Sequence, residues 1–359
     1  MFETMQRNDN VIPRECYFAA SNSGYGFKSY FEELFFNQEI TRRYIIKGGP
    51  GTGKSTLMRG IGERAEREGR RVEYYYCSSD TGSLDGVIID SATAIFDGTS
   101  PHSYDTVLPG AIDDIIDLGR FWNSEALSEK KEQISRLSSL KKKSYARAYR
   151  YLSAAFDILR ALGLLASPYI DGYKLQAAVG RMCEKIPSGN SGELIPLAVS
   201  AIGVHGRVRF DTLEARATEL YALCDSYGIA KRYLGLLTSE LLKRGCRLRV
   251  AYDPIDPESV ETVFDEGSGA CFYVCEDADA LPPNAQRINM KRFLALDKLS
   301  EIRGEYRSAE KQYAALISLA EQALNESGRA HAELEKIYSA NMDFDSLNAF
   351  SENFLQKNK

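Results

Sequence analysis

Residues 42–56 read RRYIIKGGPGTGKST, and no other stretch restricts the fold of this chain as strongly. Tyr44, Ile45 and Ile46 form a β-prone run that enters a glycine-rich turn. From Lys54 onward Leu57, Met58 and Ile61 fall on one side of a helical stretch, and Gly69 stops it. Gly48-x4-Gly53-Lys54-Ser55 is the complete spacing of a phosphate-cradling loop, or P-loop. Gly48, Gly49, Gly51 and Gly53 permit turns that a side chain blocks, so successive N–H groups can point inward at an anion. The helix behind the loop adds its positive N-terminal end. Within the segment Gly48, Gly49, Pro50, Gly51, Thr52, Gly53, Lys54, Ser55 and Thr56, two side chains carry defined chemistry. Lys54 is expected to bridge the β- and γ-phosphates of a nucleotide, and Ser55 to ligate Mg2+. The cofactors expected are therefore ATP and Mg2+.

Such a loop needs a carboxylate at the end of a neighbouring strand to hold Mg2+ through water. Asp97 closes the apolar run Ala94-Ile95-Phe96 and is the first choice; Asp90, after Val87-Ile88-Ile89, is the rival. Many hydrolytic relatives of such loops place a Glu directly after this Asp, whereas Gly98 stands here, so slow hydrolysis is expected. Ser78, Ser79 and Asp80 follow the run Val72 to Cys77 and belong at the carboxyl edge of the sheet. Asp80 either orients a water or substrate hydroxyl, or caps a turn. His102 is either a γ-phosphate sensor or an exposed bystander. Arg42 and Arg43 read as solvated flanks rather than phosphate-directed fingers. Strand, helix, strand, strand in this order predicts a parallel α/β sheet flanked by helices.

Length and composition limit the alternatives. At 359 residues, with 44% hydrophobic and 26% charged side chains, the chain is that of a globular protein of about two domains. A formal charge of −5 makes no global case for nucleic acid or an anionic membrane. A local basic surface stays open in Lys141, Lys142 and Lys143 with Tyr145, Arg147, Tyr149 and Arg150, which reads either as a nucleic-acid track or as a solvated helical face. Seven scattered cysteines without a CxxC pair read as reduced and structural. The N-terminus lacks the order of a signal peptide, and the most apolar stretch, Leu194 to Val204, is too short to span a bilayer. The expected location is cytoplasmic, with no membrane partner.

Two long helical arms are expected. One runs from Ser124 to about Leu162, with Lys141 and Ser144 interrupting its apolar seam. The other begins near Asp297, with a break at Ser327-Gly328. The arms prompt a test for repeats. Gly69–Val87 aligns without gaps on Gly245–Val263 with six identities in nineteen. Ile116–Phe121 aligns with Ile288–Phe293, and Pro50–Leu57 with Tyr227–Leu234, which matches Lys54 to Lys231. In that alignment Asp225 replaces Gly48, Ala230 replaces Gly53 and Arg232 replaces Ser55. The Asp97 position falls among Tyr273, Val274 and Cys275, with Glu276 and Asp277 slightly later. The second site is expected to be a pseudo-site. The organisation expected is a P-loop core with an intact site (1–123), a helical arm (124–162), a connector (163–195), a degenerate core (196–296), and a second arm with a tail (297–359).

GGPGTGKST (48–56), YYYCSSDTGSLDGVII (74–89), AIFDGTSPH (94–102) and SANMDFD (339–345) together make the chain resemble a family of bacterial P-loop ATPases of about this length. The resemblance covers nearly the whole chain and implies two tandem P-loop halves. Members can carry an intact loop in the second half, from which YGIAKRYL (227–234) departs. The resemblance implies ATPase activity and lends no substrate or pathway. Function is therefore expected to be that of a slow Mg-ATP-binding ATPase, with ATP ahead of GTP and the arms available to a protein partner. A small-molecule kinase and an ATP-gated binding module with negligible turnover are the competing classes.

Overall fold

The computed structural model describes residues 14–100, 103–225, 227–275, 281–295 and 297–357. His102, Glu276 and Asp277 lie outside the described residues. Among the described residues no helix is long and apolar enough to cross a membrane.

The N-terminal half begins with β1 (Glu15–Phe18), a hairpin of β2 (Ala20–Ser23) and β3 (Gly26–Ser29), and the short helix α1 (Phe31–Phe35). Then follow β4 (Arg42–Lys47), α2 (Lys54–Arg67), β5 (Val72–Tyr76), β6 (Leu84–Ile89), β7 (Thr93–Asp97) and β8 (Asp113–Asp117). Helices α3 (Ser124–Glu129), α4 (Lys131–Ala166) and α5 (Gly172–Cys183) lead to the second half. There the series is β9 (Leu194–Leu197), β10 (Ser200–Gly203), β11 (Gly206–Arg209), α6 (Thr212–Ala215), β12 (Glu219–Cys224), α7 (Ile229–Lys243), β13 (Leu248–Tyr252), β14 (Val260–Asp265), β15 (Ala270–Cys275) and β16 (Ala285–Asn289). Helices α8 (Arg303–Ser339) and α9 (Phe344–Lys357) close the described chain.

Each half builds a six-stranded sheet. The orders β1-β5-β6-β7-β4-β8 and β9-β13-β14-β15-β12-β16 are the same order in the two halves. Neither sheet is wholly parallel, which corrects the expectation from sequence. β6 runs antiparallel to β5 and β7, and β14 antiparallel to β13 and β15, while the other pairings are parallel. The reason is loop length. Only Asp90, Ser91 and Ala92 separate β6 from β7, with φ of 51° and 57° at Asp90 and Ser91. A turn this tight makes a hairpin, whereas a parallel crossover needs a dozen residues or more.

Alternation along the strands gives each sheet two buried faces. Ile45, Tyr75, Ile88 and Phe96 from the first sheet, with Ala222, Phe264, Cys271 and Tyr273 from the second, enter one shared core. Tyr44, Ile46, Tyr74 and Val87 face α2 instead, and Tyr221, Leu223, Val250 and Phe272 face α7 and α5. Polar groups also cross between the halves. Arg249 of β13 donates to both carboxylate oxygens of Glu73 of β5 (2.7 and 3.2 Å), and both side chains are buried. Arg71 forks onto Glu15, Arg216 bridges Glu15 and Glu266, and Arg249 also reaches Glu266.

The long helices exchange places. α4 leaves the first half, runs antiparallel along α8 and ends at the second, where α5 packs on α7. α8 returns to the first half, and α9 there sets Phe350 against Phe121 and Phe354 against Tyr44. The break expected at Ser327-Gly328 is absent, because α8 is continuous through both residues. Tertiary packing overrides the local glycine preference: a methyl group at Gly328 would come within 2.6 Å of Val204 Cγ1 at the β10–β11 tip. Ser327 is buried and donates to the Lys141 carbonyl (3.4 Å).

Candidate functional site

The glycine loop of residues 48–53 joins β4 to α2 at the carboxyl edge of the first sheet. Strand β4 is placed there by apolar side chains on both faces, and α2 by Leu57, Met58, Ile61 and Ala65 packing beneath the sheet. Gly51 and Gly53 hold φ of 68° and 86°, the left-handed region that favours glycine. Thr52 ties the loop by donating to the Gly49 carbonyl (2.8 Å).

Lys54 folds back over this loop. Its ammonium donates to the carbonyls of Gly48 (3.0 Å) and Gly49 (2.8 Å) and lies 3.6 Å from Asp97 Oδ2. Asp97 ends β7, directly beside Ile46 of β4, so strand pairing sets the distance between lysine and carboxylate. Its other oxygen accepts the Thr99 N–H (2.8 Å) and hydroxyl (2.6 Å). Ser55 Oγ accepts the Leu84 N–H (3.0 Å) and keeps lone-pair capacity for a cation. Thr56, the last residue of the segment, is exposed. The rival Asp90 sits at the opposite edge of the sheet, bound to Arg70 (2.6 Å) and the Arg71 N–H. Arg42 and Arg43 also stand at that far edge. Arg43 is buried against Asp113 rather than solvated, and Arg42 pairs with Asp114 (3.2 Å).

The loop after β5 lies at the same edge as the glycine loop. Ser78 is buried, and Ser79 accepts from Asn22 Nδ2 (3.2 Å). Asp80 Oδ1 accepts the Gly82 N–H (2.9 Å), the turn-capping arrangement, and stands 3.6 Å from His205 Nε2. His205 comes from the β10–β11 tip of the other half, docked where the Val204 N–H donates to the Ser79 carbonyl (2.8 Å). The converse contact exists too, the Gly24 N–H donating to the Ile255 carbonyl (2.9 Å).

The arms close over this edge. Glu335 of α8 packs so tightly on Gly51 that a methyl there would meet the Glu335 carbonyl oxygen at 2.6 Å, and Tyr338 covers Gly49. Lys141 of α4 donates to His331 Nδ1 of α8 (2.9 Å), and His331 Nε2 lies 3.6 Å from Glu335 Oε1. Burial, then Lys141 and Lys54, push the His331 imidazole down to about 4. Burial and Asp80 raise the Glu335 carboxyl. The basic stretch 141–150 is thus not a fully solvated face. Tyr145 and Tyr149 pack in the core between the arms and the hairpins, Tyr149 donating to Asn22 Oδ1 (2.9 Å), and Arg147 pairs with Glu326. Sequence reasoning found neither His331 nor Glu335; its one signal was the interruption of the α4 seam at Lys141.

The corresponding edge of the second half is built differently. Cys224 ends β12 as Lys47 ends β4, so Asp225 takes the place of Gly48. Its carboxylate accepts the N–H groups of Tyr227 (3.1 Å) and Ala230 (2.9 Å), filling the cradle with an internal anion. Val274 sits opposite Leu223 as Asp97 sits opposite Ile46, so an apolar residue stands where the carboxylate was sought. The equation of Lys231 with Lys54 is corrected by the helix register. The buried positions Leu57, Met58, Ile61 and Ala65 match Tyr233, Leu234, Leu237 and Leu241 one for one. In that register Ala230 stands at Lys54 and Lys231 at Ser55. Lys231 turns away to Asp253 (2.8 Å), and this ion pair raises its pKa against the cost of burial.

A family model described as the N-terminal part of nephrocystin 3 matches residues 28–90. It spans the glycine loop, Lys54, Ser55 and Asp80, stops before Asp97, and takes in under a fifth of the chain. No curated protein and no solved structure matches.

Proposed function

We propose that this chain is a slow Mg-ATP-binding ATPase with one working site, in the N-terminal half, and a second, degenerate site. In this reading the halves are tandem copies of a P-loop fold, supported by the repeated strand order and the aligned segments. The observation that carries the proposal is the position of Lys54. A glycine loop with left-handed turns cradles its ammonium 3.6 Å from a carboxylate on the adjacent strand. Phosphates entering that loop would meet backbone N–H groups, the α2 N-terminus and Lys54 together. The residues present suit Mg2+: Ser55 would hold it directly and Asp97 through water, and the ion would neutralise charge on the phosphates. Gly98 following Asp97 supplies no water-activating carboxylate, which supports slow turnover. Asp80 is engaged in its own turn, which gives the kinase reading less support.

The test is phosphate release from ATP and GTP with Mg2+, beside a direct nucleotide-binding assay. Lys54→Ala should abolish turnover and weaken binding strongly, whereas Lys231→Ala should leave both unchanged. Equal losses from the two variants would overturn the one-site assignment. Nucleotide binding without turnover in the wild type would favour the gated binding module.

A further inference from the structure

The arms hold one further cation near the glycine loop, close enough for Lys54 and Asp97 to act on it electrostatically. Lys141 lies in mid-helix on α4 and is half-buried at a position where the seam calls for an apolar residue. Among the described residues it has no carboxylate within ion-pair distance; its partner is the His331 ring nitrogen at 2.9 Å. Burial lowers the Lys141 pKa and Lys54 lowers it further, while Cys77, Glu335 and Asp97 oppose the fall. A half-buried ammonium whose direct partner is one imidazole, with carboxylates acting on it only from a distance, is incompletely compensated and gains from an anion in contact. His331 and Glu335 sit one turn apart on α8, and Glu335 rests on Gly51. The helix that holds the lysine, α8, therefore also packs on the loop, through Glu335 rather than through His331 itself.

We propose that Lys141 is a second phosphate-contacting cation of this site, supplied in cis by α4, which binds the terminal phosphate of a nucleoside triphosphate. This rests on the nucleotide reading above and names the group that distinguishes triphosphate from diphosphate. In the arrangement described, His331 parks the ammonium as an acceptor. A terminal phosphate oxygen is a stronger, charge-assisted acceptor and takes the lysine from the imidazole. Because Lys141 belongs to one arm and His331 to the other, the exchange alters the contact between the arms.

The experiment compares the affinity of the full chain for ADP and for a non-hydrolysable ATP analogue, each with Mg2+, in wild type, Lys141→Met, Lys141→Arg and Lys54→Ala. Lys141→Met should weaken the analogue by about 10-fold to 100-fold, lower turnover by about 100-fold or more, and leave ADP affinity within about twofold. Unchanged ADP affinity also shows that the variant is folded. Lys141→Arg should restore part of the preference for triphosphate. If Lys141→Met binds the analogue as wild type does while Lys54→Ala loses both ligands, the Lys141 assignment fails and the nucleotide reading stands. Equal loss of ADP and analogue would make Lys141 a structural support and overturn the assignment too. A wild type that binds neither ligand overturns both.

Discussion

Removing Arg249 should loosen the joint between the two sheets, and the structure sets the size of the effect. The Arg249 and Glu73 side chains are only 7% and 5% exposed, and two hydrogen bonds join them. Burial alone would raise the Glu73 carboxyl, but Arg249 and Arg71 hold it down to about 2, against an ordinary 4.5. That depression corresponds to about 3 kcal/mol. Breaking a buried pair by deleting one partner costs about 3–5 kcal/mol. Arg71 remains 2.9 Å from Glu73 and offers partial compensation, which places Arg249→Met near the lower end. Glu73→Leu should cost a similar amount. The double variant leaves Arg71 on Glu15 and Glu266 on Arg216, so no charge is orphaned, and it should fall short of the sum by about 2 kcal/mol. Urea unfolding followed by circular dichroism and fluorescence measures this, with free energies taken only where the two signals coincide. The pH course is a second reading of the same coupling. A carboxyl held below its unfolded pKa stabilises the fold above pH 4.5, and that contribution is lost as pH falls towards 2. The gap between wild type and Arg249→Met should therefore narrow over that window. Additive losses in the double variant, within about 0.5 kcal/mol, would refute the reasoning.

Two further outcomes follow from the sites. His331 is held neutral with its pKa depressed from 6.5 to about 4, so its contribution is complete above pH 6.5 and lost as pH falls towards 4; His331→Gln should flatten thermal stability across that interval. Asp225→Ala removes the anion from the second cradle and should cost about 1 kcal/mol by calorimetry or urea unfolding, as loss of a helix cap does, without raising nucleotide stoichiometry.

The glycine-loop edge of the first half was legible in the sequence because its parts are local. Strand β4, the glycine loop and α2 are contiguous, and spacing alone marks where the strand ends and the helix starts. Asp97 was legible one step further out, since an apolar run closed by a carboxylate marks the end of a buried strand. The direction of β6 depended on Asp90 and Ser91 taking positive φ, a backbone choice that their residue types permit without demanding. The hairpins at 20–29 and 200–209 were not legible: each strand is four residues long, and neither alternates clearly.

What the sequence determined by itself is the glycine-loop pattern at 48–56 with its flanking strand and helix, and the absence of that pattern from residues 225–234. Tertiary structure decided everything that joins distant segments. It set α7 one residue out of step with the apparent alignment, because burial against the sheet outweighs a matched lysine. It placed Asp225 in the second cradle and paired Glu73 with Arg249 across the halves. It also drew Lys141 and His331, 190 residues apart, to one edge of the first sheet. Such contacts are created by packing two helices that leave opposite halves and cross, and no periodicity within either helix records which residue of the other it will meet.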